Sequence, residues 1–424
     1  MRLRFFAASV LLFTSMQVVH SQPRSVSGIA VNGHYFTDAK GKPFFWLGDT
    51  QWELFHQLPV TEAKALLLER KKQGFTVIQC MTTGVFQEWG IMKGLKRDTS
   101  NEAWLHDDPA HINELYFKKM DSVIAWAEEI GLILVIGVYH AQDVDHGRIT
   151  FANARSWARW LAARYRNASN IIWSMYPHAD TASSKILNEI IQGLKEGDES
   201  RHMVTVHPDP SPASSSFFSP ASWLSFNTLQ TWNSGYINYS MVMSDYSKTP
   251  VMPVVNGEAR YEEEDGTTPA DTRRAGYFSM LAGGFYSYGH QDNWRAATTW
   301  KSWYASPGAR QMSIMVNLFK TLPWWNLQPD STILVNRKPG VVAARSAIRN
   351  WLIVYLSTPG KIVISNQWLA LIKEASATWV NPETGNTTNA IPGIDKDGIS
   401  FVSPVWTDAV LMIKKGKLNL KKSK

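Results

Sequence analysis

Residues 250–265 read PVMPVVNGEARYEEED, and the fold turns on how the first half of that stretch is taken. Residues 251–255 form a short apolar run, rich in β-branched side chains and interrupted by Pro253. It is too short for a helix and reads as a buried strand. Asn256 and Gly257 end it, and Glu258 stands immediately beyond. In a parallel α/β sheet the loops at the carboxyl ends of the strands build the active site, so a carboxylate there is a candidate for chemistry. The competing reading is a strand-end acid that caps backbone or pairs with Arg260.

Outward from this stretch the same unit repeats. Residues 42–48 read as a first strand with Asp49 at its end, followed by a helix capped by Thr61 and stopped by Gly74. Residues 75–81 form a second strand. A helix over 111–130 follows, with Ile112, Leu115, Tyr116, Met120, Val123 and Ala127 as its apolar face. Strands over 132–139, 170–175, 202–206 and 223–229 lead to His140, the segment 176–180, His207 and Gln230, with helices at 151–166 and 184–195 between them. Thr268, Pro269 and Asp271 form a helix start, and Gly283-Gly284 precede a last strand at 285–288. Eight strands alternating with helices predict an α/β protein with a (β/α)8 TIM barrel. Past residue 322 the periodicity changes. Short strand-like segments separated by Pro359-Gly360 and by residues 381–385 predict a small C-terminal antiparallel β-sandwich. The expected division is a signal peptide at 1–21, a barrel at 22–328, and a sandwich with a basic tail at 329–424.

The formal charge of +7 over 424 residues sits at the ends. Arg2 and Arg4 and six lysines from Lys414 to Lys424 account for eight cations, so the rest of the chain carries −1. A nucleic-acid partner is therefore not expected. Arg2 and Arg4 precede the apolar run 5–13, and Val19-His20-Ser21 offers a cleavage site, so the protein is expected to be secreted or periplasmic. No later segment reaches eighteen apolar residues, and no membrane span is expected. Cys80, the single cysteine, reads as a small core residue. The chain is expected to act as a monomer.

The chemistry is expected where the strands end. Asp49, His140, His207, Gln230, Glu258, Tyr288 and His290 fall there, with Trp52, Trp232 and Trp294 in the same loops. Carboxylates, imidazoles, an amide and indoles suit a sugar: acids serve an oxocarbenium-like transition state, polar groups read hydroxyls, and aromatic faces stack on sugar rings. No Gly-rich phosphate loop, paired-cysteine site or HExxH helix is present, and no cofactor or metal is expected, although three histidines on separate strands could ligate zinc. Residues 262–265, reading EEED, suggest a solvated loop rather than a calcium site.

Residues 48–55 (GDTQWELF), the strand start GFTVIQ, the pair His207-Pro208, and NGEARYE followed by YGHQDNW resemble the apiosidase-like catalytic domain, glycoside hydrolase family 140. The resemblance extends over residues 28 to about 325. TWVNPETG and VWTDAVLMI are similar to the collagen-binding β-sandwich that follows that domain, which in this setting is expected to pack on the barrel. The resemblance implies a retaining hydrolase of plant cell-wall pectin, cutting at apiose in the side chains of rhamnogalacturonan-II, with a carbohydrate as its partner. It implies Glu258 as nucleophile, with Asp49, Trp52, His207, Tyr261, Tyr288, His290 and Trp294 near the sugar. The second acid departs from the family pattern, a tryptophan, then Gly-Gly-Asp with the Asp five residues on. Here Trp173 is followed by SMYPHAD, so His178 takes the acid's place and the carboxylate moves to Asp180. Asp180 as acid/base, His178 in its stead, and Asp143 or Asp145 all stay open. So does a glycan-binding protein that kept the groove and lost the acid. The glutamine motif is altered to Gln230-Thr231-Trp232.

Overall fold

The computed structural model describes residues 26–29, 33–85, 101–177, 181–210, 213–218, 223–296, 300–335, 337–373 and 375–415. The 1–21 leader and the end of the basic tail lie outside them.

The short apolar segments form eight parallel strands: β1 Leu47–Thr50, β2 Val77–Met81, β3 Ile133–His140, β4 Ile171–Tyr176, β5 Val204–Val206, β6 Asn227–Gln230, β7 Val254–Glu258 and β8 Phe285–Tyr288. They lie in the order β5-β4-β3-β2-β1-β8-β7-β6. The ring closes between β5 and β6, where Ser225 N donates to Val204 O at 2.8 Å and Thr205 Oγ1 to Phe226 O at 3.0 Å. The strands are almost wholly buried, as helices covering a closed parallel sheet require. This is the expected (β/α)8 barrel.

Several local expectations move. β1 starts at Leu47, because Pro43–Phe44 is spent in a separate antiparallel sheet with Val26–Ile29 and Phe36–Asp38. Asp49 therefore lies inside β1, and Glu258 is the last residue of β7 rather than one beyond it. Thr61 does not cap the first helix, Val60–Lys72, which opens at Pro59 without a side-chain cap. The helix Glu114–Glu129 starts one turn late. Asn113 caps it, and Leu115, expected inside, is 75% exposed while Phe117 and Ile124 are buried instead. Thr268, Pro269 and Asp271 form a full capping box on the helix Pro269–Leu281.

The C-terminal part holds a six-stranded antiparallel sheet that Leu327–Pro329 opens at one edge, and a three-stranded antiparallel sheet built around Gly398–Val402. It packs against the helix Pro269–Leu281. Tyr277 stacks on Tyr355 with centroids 4.8 Å apart and planes 11° from parallel. Arg273 and Asp408, both buried, form a two-pronged ion pair at 2.6 and 2.9 Å, and Tyr355 donates to the same carboxylate at 2.7 Å. One apolar cluster runs from Phe45 and Phe319 through Phe278 to Trp351 and Met412 without a break. Among the described residues no helix is long and apolar enough to cross a membrane.

Candidate active site

The carboxyl ends of the barrel strands surround a cleft of about 300 Å3. Trp52 beyond β1, Met81 of β2, His140 of β3, Tyr176 of β4, His207 beyond β5, Gln230 of β6 and Glu258 of β7 supply its floor and walls. Trp232, Tyr261 and Trp294 complete it from the loops. The floor is aromatic. Tyr176 stacks on His207 at 4.6 Å and on His140 at 6.1 Å, and Trp52 meets Tyr176 and His207 edge-on at 5.1 and 5.8 Å. Flat apolar faces carrying a few fixed polar groups are what a sugar ring needs.

Glu258 is the chemical centre of this wall. Burial pushes its carboxyl up to about 8, the Tyr261 hydroxyl hydrogen bond pulls the other way, and the nearby Glu264 charge adds to the rise. Tyr261 in turn accepts from Trp52 Nε1 at 3.0 Å, which fixes where its hydroxyl points. Gly289 makes this possible. A Cβ there would lie 2.2 Å from the Tyr261 ring, so only a glycine lets the ring lie flat against the backbone beyond β8. On the other side, His207 Nε2 stands 3.3 Å from Glu258 Oε2. Burial drives the imidazole down to about 3, so the contact is between a neutral ring and a carboxyl and is no ion pair. At neutral pH the proton of this pair rests on Glu258. Arg260, the suggested partner of Glu258, instead stands 3.8 Å from Asp265.

Three of the expected sugar contacts do not reach the cleft. Asp49 is fully buried and bonded to Arg70 Nε at 2.8 Å and Gln51 Nε2 at 2.7 Å. Tyr288 donates to Glu262, and His290 accepts from Asp292 N at 3.1 Å with its ring 4.6 Å from Trp303. These side chains belong to a polar layer behind the wall, between β1, β8 and the helices Val60–Lys72 and Pro307–Lys320. Asp143 is also withdrawn. It is fully buried, 3.0 Å from Arg148, and receives the His140 backbone N–H at 2.9 Å. Asp145 lines the cleft. His178 and Asp180 lie outside the described residues.

The acidic run 262–265 corrects its reading as a solvated loop. Its residues point different ways because Glu263 and Asp265 take left-handed backbone conformations, φ 69° and 48°. Glu262 turns inward, fully buried, receiving Tyr288 Oη and Gly308 N. Glu264 turns into the cleft, where it accepts the Tyr261 backbone N–H at 3.0 Å. Gln291 also lines the cleft and holds Trp294 through the indole N–H at 3.0 Å. Glu264 carries no signal in the sequence beyond its nearness to Glu258, whereas Gln291 lies within the YGHQDNW motif. Among the described residues no three His, Cys, Asp or Glu side chains cluster to hold a metal ion.

A family described as "Apiosidase-like, catalytic domain" matches residues 30–326. Among solved structures, one described as a glycoside hydrolase is 23% identical, with 94% of this chain and 98% of that one covered at a TM-score of 0.77. A family 5 glycoside hydrolase from Bacteroides vulgatus is likewise 23% identical, with 92% and 93% covered at 0.77. An α-amylase from Lactobacillus plantarum is 10% identical, with 87% and 98% covered at 0.54. At these identities the likeness is one of fold. No curated protein matches.

Proposed function

Since the chain belongs to the apiosidase-like catalytic-domain family and is a glycoside hydrolase, we propose that it is an exported, retaining enzyme of the family 140 type acting on plant cell-wall pectin. Its substrate is the apiose linkage in the side chains of rhamnogalacturonan-II, and the C-terminal sandwich, of the collagen-binding type, serves as a packed support. The observation that carries the reading is Glu258: a carboxyl at the end of β7, buried in an aromatic cleft, with a directed hydroxyl donor and, among the described residues, no cation against it.

Glu258 attacks the anomeric carbon, and its new bond forms as the glycosidic bond breaks. Asp180 gives the leaving oxygen its proton, then takes one from the water that releases the sugar. The attacking form is the ionised carboxylate, whose proton has passed to solvent before the step, and positive charge developing on the ring favours that charge in the transition state. Tyr261 holds the carboxylate oxygen of Glu258 that does not form the bond. The raised Glu258 carboxyl supports a second assignment in which Glu258 is itself the proton donor. The two differ in sign: kcat/KM rises with pH toward about 8 for a nucleophile and falls above it for a donor.

Azide distinguishes the roles. Glu258→Ala should abolish hydrolysis of rhamnogalacturonan-II fragments and of an aryl apioside, and azide should then yield the inverted glycosyl azide. Asp180→Ala should keep rapid glycosylation on the aryl substrate and yield the retained azide. Full activity of Glu258→Ala would end this reading.

A further inference from the structure

Strict alternation along β7 would aim Glu258 away from the cleft. Asn256 points outward, where its Nδ2 donates to Asn238 Oδ1 at 2.7 Å and to Ser279 Oγ at 3.0 Å. These partners belong to the covering helices Ile237–Tyr246 and Pro269–Leu281. A strand of regular pleat sends every second residue to one face, so Glu258 should share that outer face with Asn256. It lines the cleft instead. The register with β6 shows why. Asn256 pairs with Leu229 and Glu258 with Gln230, which makes Gly257 an extra residue on β7, a bulge.

The bulge is held on both sides. Beyond it, Thr231 N and Trp232 N both donate to the Glu258 carbonyl, at 2.9 and 3.1 Å. Within it, the Gly257 carbonyl accepts from Gln79 Nε2 at 2.9 Å. Gln79 stands on β2, three strands round the ring from β7, so its side chain reaches across the barrel interior. It is buried, and the same nitrogen donates to Thr50 Oγ1 of β1 at 3.2 Å. Both amide hydrogens are thereby used, and the carbonyl, which can only accept, fixes which end of the amide faces it. Close approach leaves room only for glycine at the bulge: a Cβ there would lie 2.7 Å from Thr228 Cγ2 and 3.4 Å from Gln79 Oε1.

We propose that Gln79 is a positioning residue that aims Glu258. By holding the Gly257 carbonyl it keeps the bulge in β7, and the bulge turns the carboxyl from the helix layer into the cleft. The catalytic consequence rests on the hydrolase reading above; the aiming itself does not. Gln79 is not among the residues that line the cleft, so it acts through the backbone of β7.

Crystal structures test the aiming without a ligand. Gln79→Met keeps the length of the side chain and removes the donor. The Glu258 carboxyl, 3.3 Å from His207 Nε2 in the wild type, should shift by about 1 Å or more, with Asn256 still bonded to Asn238 and Ser279. Turnover of an aryl apioside tests the consequence. Gln79→Met should lower kcat on the order of a hundredfold, the scale of such a misplacement, while KM moves less than about threefold. Thr50→Val, which removes the anchor of the amide, should lower kcat by about tenfold, and the double variant should match Gln79→Met because Thr50 acts through Gln79. Thr50→Val carries both measurements if Gln79→Met does not fold. An unmoved Glu258 in the variant crystal, or effects on kcat that add in the double variant, would overturn the proposal. If the wild type leaves the aryl apioside intact, the substrate reading fails and the crystal structures still decide the aiming.

Discussion

Asp49 and Glu258 occupy matching places in the barrel, one near the end of β1 and the other at the end of β7, yet they live in opposite electrostatic worlds. Asp49 has a counterion: Arg70, equally buried, meets it at 2.8 Å and extends to Gln73 and the Tyr304 carbonyl. Burial alone raises the Asp49 carboxyl, and the Arg70 charge opposes the rise. Glu258 has a tyrosine hydroxyl and a neutral imidazole, neither of which cancels a charge. A buried acid with a matched guanidinium ties helix to strand. A buried acid without one is held ready to change its charge.

The sharpest way to break this contrast is to remove each carboxylate in turn. Glu258→Gln should cut kcat/KM by on the order of ten-thousandfold or more while leaving the protein folded, because no buried charge is orphaned. Asp49→Ala should do the reverse, stranding Arg70 and costing about 3–5 kcal/mol, a fall in Tm of roughly 5 °C by thermal unfolding. Equal stability losses in the two variants would erase the distinction.

A comparable effect follows from pH. The folded protein holds the Glu258 proton up to about 8, whereas an unfolded chain releases it near 4.5. The folded state therefore binds more protons between those values, and the stability from this group, complete below pH 4.5, is lost as pH rises through 8. Across that window the wild type should lose about 5 kcal/mol relative to Glu258→Gln, measured by urea unfolding at a series of pH values. A difference independent of pH would mean that Glu258 ionises like a solvated acid. Smallest of all, Gly289→Ala should cost about 1–3 kcal/mol through overpacking and lower kcat by displacing Tyr261, with little change at Arg70. A wild-type pH profile in that variant would separate Tyr261 from the tuning of Glu258.

The barrel was legible in the sequence because each buried parallel strand is a compact apolar run with its own turn signals. Thr268-Pro269 and Asp271 even gave a helix start to the residue. Asp49 and Glu258 could not be told apart in this way. Both follow a strand pattern, and the residue that decides between them, Arg70, lies 21 positions further on in a helix otherwise rich in charge. Tyr288 and His290 misled for a related reason: an alternating strand shows which residues share a face, not whether that face meets solvent or a buried layer. Glu264 was hidden by its neighbours. Four consecutive acids look like one solvated surface, and only the left-handed backbone at Glu263 and Asp265 sends alternate carboxylates in opposite directions. Gln142, which also lines the cleft, lies on the short helix Ala141–Asp145 that follows β3 directly, and five residues leave too little pattern to read, so of that helix only Asp143 and Asp145 were singled out, as places for the acid.

The shared core beneath the sandwich has a consequence for how the chain can be taken apart. The Tyr277–Tyr355 stack and the Arg273–Asp408 pair bury groups from both halves in one another, so cutting after the barrel would expose an apolar face and leave a guanidinium without its acid. The two halves should melt in a single calorimetric transition, and the barrel should not be obtainable as a stable fragment. Evolution could then vary the rim loops freely, while an exchange of the appended sheet would require the helix Pro269–Leu281 to change with it.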